Sequence, residues 1–401
     1  MAVSPDRSYL ISRTAFVSTY APRRCGIATF TYDLATTVGE REIVALHPST
    51  EPGPYPAEVR HRIRRDIQSD YAYVAHALND CGVDVVSVQY EPGIWGGEDG
   101  AYVLDFIRAL RVPIVATLHN IFAHPTPAQR AILIELVNAA EASVVMSQAA
   151  SDLLTGVYGV DASLIDIVPH GVSDLPLIAP DTIKPRLGLQ GKAVILSFGL
   201  LAPGKGLESV IEAMPAIVAA VPTARYIILG STSPATTVGS AGEAYRAALE
   251  AQASALGMTE QVKFVDRFVG RVELCTWLEA ADVFVTPSPD LDRTVSGTLA
   301  YAMGAGKAII STPSALASEL LADGRGRLVS PSSSGALATA ITELLLDSEL
   351  RASMGRLAYE HSRGMVWWEV GRKYRHVFDR AARAAAERPY PHGRKLAAVV
   401  A

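Results

Sequence analysis

The run Val194-Ile-Leu-Ser-Phe198, followed at once by Gly199-Leu-Leu-Ala-Pro-Gly-Lys-Gly206 and the helical stretch Gly206–Ala220, decides the fold. A short, mostly apolar run without alternation suits a strand buried on both faces, as in a parallel sheet. The glycines permit a sharp turn, and a helix begins without a spacer. Strand, glycine-rich turn and helix form the repeating unit of a doubly wound α/β domain, whose ligands bind beyond the carboxyl ends of the strands.

The rhythm continues in both directions. Towards the C-terminus, Tyr226–Leu229, Val262–Val265, Val283–Thr286, Ala308–Ser311 and Arg327–Val329 read as strands. Gly242–Leu256, Val272–Ala280, Ser296–Gly304 and Gly335–Leu346 read as the helices between them. Leu350–Arg363 and Trp367–Ala386 are helical with no strand after them. Towards the N-terminus, Gly171–Gly191 carries Pro176, Pro180 and Pro185 with little periodicity and reads as an interdomain linker. Ahead of it the strands are Thr14–Thr19, Ile43–Leu46, Asp84–Gln89, Pro113–Leu118, Ser143–Met146 and Ile165–Val168. The helices are Ala28–Val38, Ala57–Asn79 and Ala128–Ala140, and Val59–Arg65 is a basic run on the second of these. This predicts two doubly wound Rossmann-like domains, 1–178 and 179–363, with surplus helices and a frayed tail, 388–401.

Composition agrees with that division. A chain of 401 residues suits two domains, and 49% apolar against 19% charged residues excludes a disordered chain. A net charge of −5 and a pI of about 6.0 give no global field for nucleic acid or an anionic membrane. No apolar run is long enough to span a bilayer, and the N-terminus lacks the order of a signal peptide. The 3 cysteines, Cys25, Cys81 and Cys275, are far apart and imply neither a disulfide framework nor a zinc site. A soluble, cytoplasmic protein is expected.

Candidate site residues sit in the loops after strands. In the opening turn Gly199 and Gly204 allow close backbone approach, Lys205 brings a point charge, and free amides at the helix start complete an anion site. The position of a magnesium-binding hydroxyl is Gly206, so the turn is not a P-loop. Arg293-Thr-Val-Ser-Gly-Thr-Leu-Ala-Tyr301 feeds a second helix whose first turn holds Ser296, Gly297 and Thr298. Two such sites in one domain suit a diphosphate, although an ordinary Ser/Thr cap is the commoner meaning of the second alone. His119, ending Thr117-Leu-His119-Asn120, faces a cleft and a sugar, or else caps its own loop. Arg23, Arg24 and Gly26 in Tyr20-Ala-Pro-Arg-Arg-Cys-Gly26 suit a substrate arriving from the facing domain, or are solvated. Gln89-Tyr-Glu-Pro-Gly-Ile-Trp-Gly-Gly97 lines an acceptor pocket or forms a structural turn. Trp367 and Trp368 read as packing anchors.

Together these residues resemble the group 1 family of retaining GT-B glycosyltransferases, over about Arg13 to Phe378. Gly199-Leu-Leu-Ala-Pro-Gly-Lys-Gly206 is similar to the family's Gly-Arg-Leu-x-Pro-x-Lys-Gly, and Ala280-Ala-Asp-Val-Phe-Val-Thr-Pro-Ser288 to its ADVFVxPS strand. Ala302-Met303 with Gly306 resembles EAMAxG, and Val168-Pro-His-Gly-Val172 resembles VIPNGV. The chain departs from the pattern where the family's arginine is Leu200 and where its paired glutamates fall on Arg293 and Tyr301. Val295-Ser-Gly-Thr-Leu-Ala-Tyr-Ala looks like a bacterial branch sharing these departures.

The resemblance implies a GT-B fold with a helix at 364–387 completing an acceptor-side first domain, and a nucleotide-sugar-binding second domain. It implies Lys205, Arg267, Arg293 and Tyr301 around the donor, with Arg267 supplying the missing arginine charge. The Ser296–Thr298 amides would face the distal phosphate, His119 the donor sugar, and Gly26 the phosphate or acceptor. The expected reaction is metal-independent, retaining transfer of a hexosyl group from a UDP- or GDP-sugar to a small-molecule or glycan acceptor, without a further cofactor. Preorganised donors would stabilise the departing diphosphate, and Asp290-Leu-Asp292 reads as loop acidity rather than a metal site. A glycoside phosphorylase on the same scaffold, a sugar-nucleotide epimerase or a non-catalytic nucleotide-sugar-binding protein are the alternatives.

Overall fold

The computed structural model describes residues 12–50, 53–232 and 241–387. The predicted tail, 388–401, lies outside the described residues.

The apolar runs of the first half become β1 (Thr14–Ser18), β2 (Arg41–His47), β3 (Val59–Arg64), β4 (Val85–Tyr90), β5 (Ile114–Leu118), β6 (Ala142–Val145) and β7 (Ile165–Ile167). They form a 7-stranded parallel sheet in the order β3-β2-β1-β4-β5-β6-β7. Its crossovers carry α1 (Gly26–Ala35), α2 (Gln68–Asp80), α3 (Val103–Ala109), α4 (Pro127–Ala139) and α5 (Gln148–Gly156). After α6 (Pro180–Ile183) the second half repeats the plan with β8 (Ala193–Phe198), α7 (Leu207–Ala220), β9 (Ala224–Leu229), α8 (Ala241–Ala255), β10 (Val262–Val265) and α9 (Arg271–Ala280). Next come β11 (Val283–Thr286), α10 (Gly297–Gly304), β12 (Ala308–Ser311), α11 (Ala315–Leu320), β13 (Arg327–Leu328) and α12 (Ser334–Leu346). This sheet is 6-stranded, in the order β10-β9-β8-β11-β12-β13. Strand order reverses at β1/β4 and at β8/β11, and a crevice opens at such switch points.

The surplus helices are α13 (Ser348–Ser362) and α14 (Trp367–Glu387). The buried stripe Val370, Tyr374, Val377, Phe378 and Ala381 of α14 packs with Phe16, Phe30 and Leu34 of the first domain. Phe16 and Phe378 meet edge to face at 5.9 Å. Trp367 is buried as an anchor, whereas Trp368 is 58% exposed and anchors nothing.

One expected helix is corrected. The stretch 57–79 is not continuous: Val59–Arg64 is the edge strand β3, and α2 begins only at Gln68. Arg60, Arg62 and Arg64 are exposed while Ile63 is buried, which is the alternation of a strand with one wet face. Charged side chains on an edge strand also discourage pairing with another chain.

The proline-rich connection is anchored rather than loose. Lys184, 4% exposed, reaches Asp282 at 2.8 Å and Asp181 at 2.7 Å, and Asp282 in turn accepts from the Val194 amide at 2.7 Å. The two lobes also touch directly. Ser147 Oγ donates to the Thr294 carbonyl at 3.0 Å. The Glu319 carboxylate accepts from the Gln148 and Ala149 amides, each at 3.0 Å, so an acidic residue of one lobe caps a helix of the other.

Candidate active site between the lobes

The β8–α7 turn is held by close contacts that only glycine permits. Gly206 has φ +72°, and a Cβ there would lie 2.1 Å from the Pro287 carbonyl oxygen. Ser288 Oγ donates to the Gly204 carbonyl at 3.1 Å, tying the turn to the loop after β11. A Cβ on Gly199 would touch Thr298 Cγ2 at 3.5 Å, so the turn and the start of α10 are neighbours. The cleft between them spans about 440 Å3, counting space open to solvent, within the usual size of a ligand site.

Gly199, Lys205, Arg293 and Thr298 line this cleft, beside Phe198 and Ser288. Lys205 is pushed down to about 8, first by burial and then by the Arg293 guanidinium, while Asp290 opposes the shift. Arg293 Nε stands 3.6 Å from Asp290 Oδ2, so two cations face the cleft against a single loosely paired carboxylate. Such a pocket favours an anion that can satisfy both.

Ser296 caps α10 by accepting from the Leu299 amide at 3.3 Å, which leaves the Gly297 and Thr298 amides without a partner among the described residues. Tyr301 faces away from the cleft: its hydroxyl donates to Asp33 Oδ2 of the first lobe at 3.1 Å. Arg271 donates to Asp33 Oδ1 at 2.6 Å. Arg267 is not brought to the cleft; its guanidinium forks onto Glu273 and is largely exposed.

On the first lobe, His119 follows β5. Gln89, fully buried on β4, donates through Nε2 to Ser87 Oγ at 2.9 Å and presents Oε1 to His119 Nε2 at 2.8 Å. His119 therefore carries its proton on Nε2 and leaves Nδ1 as an acceptor. Burial pushes its pKa down to about 3, helped by His170, and keeps the ring neutral. At the N-terminus of α1, Arg24 and Gly26 are exposed and Arg23 is half-buried. A Cβ on Gly26 would meet nothing, which leaves room for a ligand against the helix end.

The residues that sequence reasoning missed are His170 and Asp33. His170 lies just past β7, in the quoted Val168–Val172 segment, and its place at a strand's carboxyl end was the available signal. Its ring packs on Phe30 at 5.2 Å, which packs on His119 at 4.9 Å. Asp33 follows Phe30 at helical spacing on the buried face of α1, where a carboxylate calls for a partner. Among the described residues no group of three or more His, Cys, Asp or Glu side chains is placed to hold a metal ion.

Comparison with known proteins accords with this geometry. Residues 180–361 match the family model "Glycosyl transferases group 1", and residues 24–174 match "Glycosyltransferase Family 4". A D-inositol 3-phosphate glycosyltransferase of Xylanimonas cellulosilytica is 30% identical over 69% of this chain and 68% of its own length. A GDP-mannose-dependent α-(1-6)-phosphatidylinositol monomannoside mannosyltransferase of Mycolicibacterium smegmatis is 29% identical over 59% of this chain. The match spans 61% of that enzyme, and 52% of a similar mannosyltransferase of Corynebacterium glutamicum. Among solved structures, Anabaena HepE in complex with UDP and glucose aligns with a TM-score of 0.73 at 18% identity, over 92% of this chain and 99% of that one. A sucrose-phosphate synthase of Thermosynechococcus elongatus aligns with a TM-score of 0.74 at 17% identity, over 93% and 100%. With a glycosyltransferase family model matched on each lobe and a relative 30% identical over 68% of its length, the chain belongs to the group 1 glycosyl transferases of GT-B architecture.

Proposed function

We propose that the protein is a metal-independent, retaining glycosyltransferase that moves a hexosyl group from a UDP- or GDP-sugar to a hydroxyl of a small molecule or glycan. The observation that carries this reading is the pairing of Lys205 with Arg293 in one cleft with a single loosely held carboxylate between them. The diphosphate of the donor would bridge the Lys205 turn and the free amides of α10. As the glycosidic bond breaks, negative charge grows on that diphosphate, and preorganised N–H donors and cations stabilise it more than the ground state. Arg293 takes the charge role first expected of Arg267, which is occupied by Glu273. His119, held neutral with Nδ1 free, accepts a hydrogen bond from a hydroxyl of the transferred sugar.

Retention is proposed to proceed by attack on the face the diphosphate leaves, with a leaving phosphate oxygen accepting the acceptor's proton. The acceptor hydroxyl forms the new C1–O bond as the old C1–O bond breaks. Several relatives are named for D-inositol 3-phosphate, and Arg23, Arg24 and the open α1 terminus suit a phosphorylated polyol. That makes inositol phosphates the first acceptors to test. No helix among the described residues is long and apolar enough to cross a membrane.

The test is a thermal-shift screen of nucleotide sugars, followed by product analysis. A donor present at about 100 times its Kd should add about 2.7 kcal/mol to stability. Turnover should release nucleoside diphosphate and a product of retained anomeric configuration, and should persist in EDTA. Release from a sugar phosphate substrate of inorganic phosphate alone would instead identify a phosphorylase.

A further inference from the structure

His170 is not among the residues given a role above, and its ring lies against Gly297 at the start of α10, next to the cleft-lining Thr298. Its Nδ1 donates to the Gly171 carbonyl at 2.7 Å, which fixes the tautomer and leaves the Nε2 lone pair free. Nε2 takes no hydrogen-bond partner among the described residues. It points at the start of α10: a Cβ on Gly297 would lie 2.8 Å from it. The ring is held in that direction by Phe30 at 5.2 Å, Tyr301 at 5.8 Å and Trp367 at 6.0 Å. An acceptor lone pair thus faces the positive end of a helix whose first two amides are free, a place suited to an anion.

We propose that His170 is a proton-linked ligand of the donor diphosphate: when the phosphate nearest the α10 N-terminus docks, Nε2 takes a proton from solvent and donates it as a hydrogen bond to a phosphate oxygen. This rests on the glycosyltransferase reading and adds a residue to its donor site. Burial holds the ring of the free protein down to about 4, so it is neutral at physiological pH. The titratable and charged groups around it do not supply a counter-charge. His119, across Phe30, is neutral. Tyr301 is un-ionised, and Asp33 beyond it is engaged by Arg271 and the Tyr301 hydroxyl. A docked diphosphate brings negative charge within hydrogen-bonding reach and raises the imidazole pKa. The resulting imidazolium adds a charge-assisted donor to the leaving group without any change in backbone. Proton bookkeeping closes: one proton enters from solvent on binding and returns when the nucleoside diphosphate departs.

Titration calorimetry at pH 5.5, in buffers of differing ionisation enthalpy, tests this with UDP-glucose and GDP-mannose, whose diester diphosphates do not titrate there. For the probe that binds, uptake near one proton per site is expected. Affinity should rise up to about tenfold for each pH unit lowered between the bound and free pKa values of the ring. His170→Asn and His170→Gln should bind without uptake and with affinity independent of pH in that window, whereas His119→Asn should retain the uptake. At pH 8, where the ring is neutral in both states, the two His170 variants should bind within about threefold of the parent. Binding by the parent without uptake, uptake that survives in both variants, or an equal loss of affinity at pH 5.5 and pH 8 overturns the proposal and leaves the glycosyltransferase reading standing. Failure of the parent to bind any nucleotide sugar or nucleoside diphosphate overturns that reading and this inference with it.

Discussion

Lys205 illustrates how one side chain can set a measurable property of the site. Its ammonium is disfavoured by burial and by Arg293, so its pKa falls to about 8. A bound diphosphate reverses that balance and raises the pKa in the complex. Because the free protein loses the proton first, the contribution of Lys205 to donor affinity is full below about pH 8 and falls as pH climbs beyond it. Lys205→Met should weaken donor binding by roughly ten- to a hundredfold at pH 7, the value of a charge-assisted contact of about 1.5–3 kcal/mol. It should also remove the alkaline fall, and Lys205→Arg should move that fall out of the accessible range because a guanidinium stays charged. Binding isotherms of a nucleotide sugar between pH 6.5 and 9.5 provide the check. An unchanged Kd in Lys205→Met would count against the phosphate assignment.

At the scale of elements, the turn before α7 matters as much as the lysine it carries. Gly206 combines φ +72° with a backbone oxygen 2.1 Å from where a Cβ would go, so no side chain fits without moving the Pro287 loop. Gly206→Ala should therefore cost about 2 kcal/mol or more of stability. It should also displace Lys205 and lose donor binding even though no cation is removed. A parent-like melting temperature with intact donor affinity would refute this. The element pattern explains what was legible in the sequence. Strands buried on both faces announce themselves as unbroken apolar runs, which is why β1, β8 and β11 could be placed within a residue or two. β3 was missed because Val59-Arg-His-Arg-Ile-Arg64 carries so much charge that it resembles the solvated face of a helix. Its period of two is visible only once the arginines are read as one wet face of an edge strand. Lys205, Arg293 and Thr298 were legible because they lie in loops at carboxyl ends of strands. Arg267 also follows a strand, yet Glu273, in the first turn of the next helix α9, takes its charge, a pairing that loop position alone does not reveal.

The whole molecule depends on how the lobes are joined, and Asp33 is the residue through which that can be examined. It is 2% exposed on α1, yet its partners, Arg271 and Tyr301, both belong to the other lobe. Burial pushes its carboxyl pKa up in spite of both partners, so ionising it inside the interface costs more than the contacts return. The link is thus a device for alignment more than for stability. Removing the charge and removing the contacts should consequently have different effects. Asp33→Asn keeps an acceptor for Arg271 and a hydrogen-bonding group for the Tyr301 hydroxyl while relieving the desolvated charge. Its melting temperature at pH 7 should stay within a few degrees of the parent or rise. Asp33→Ala leaves the Tyr301 hydroxyl buried without its acceptor and should lose about 1–3 kcal/mol. It should also let the lobes separate, because the remaining direct ties described above, Ser147 to Thr294 and Glu319 to the start of α5, are few. Small-angle scattering should then report a larger radius of gyration for Asp33→Ala, restored towards the parent by a saturating donor that draws both lobes onto itself. Equal stability loss in the two variants would mean that the ion pair itself holds the interface. An unchanged radius in Asp33→Ala would mean that lobe alignment is set elsewhere, by α14 and the anchored connection at Lys184.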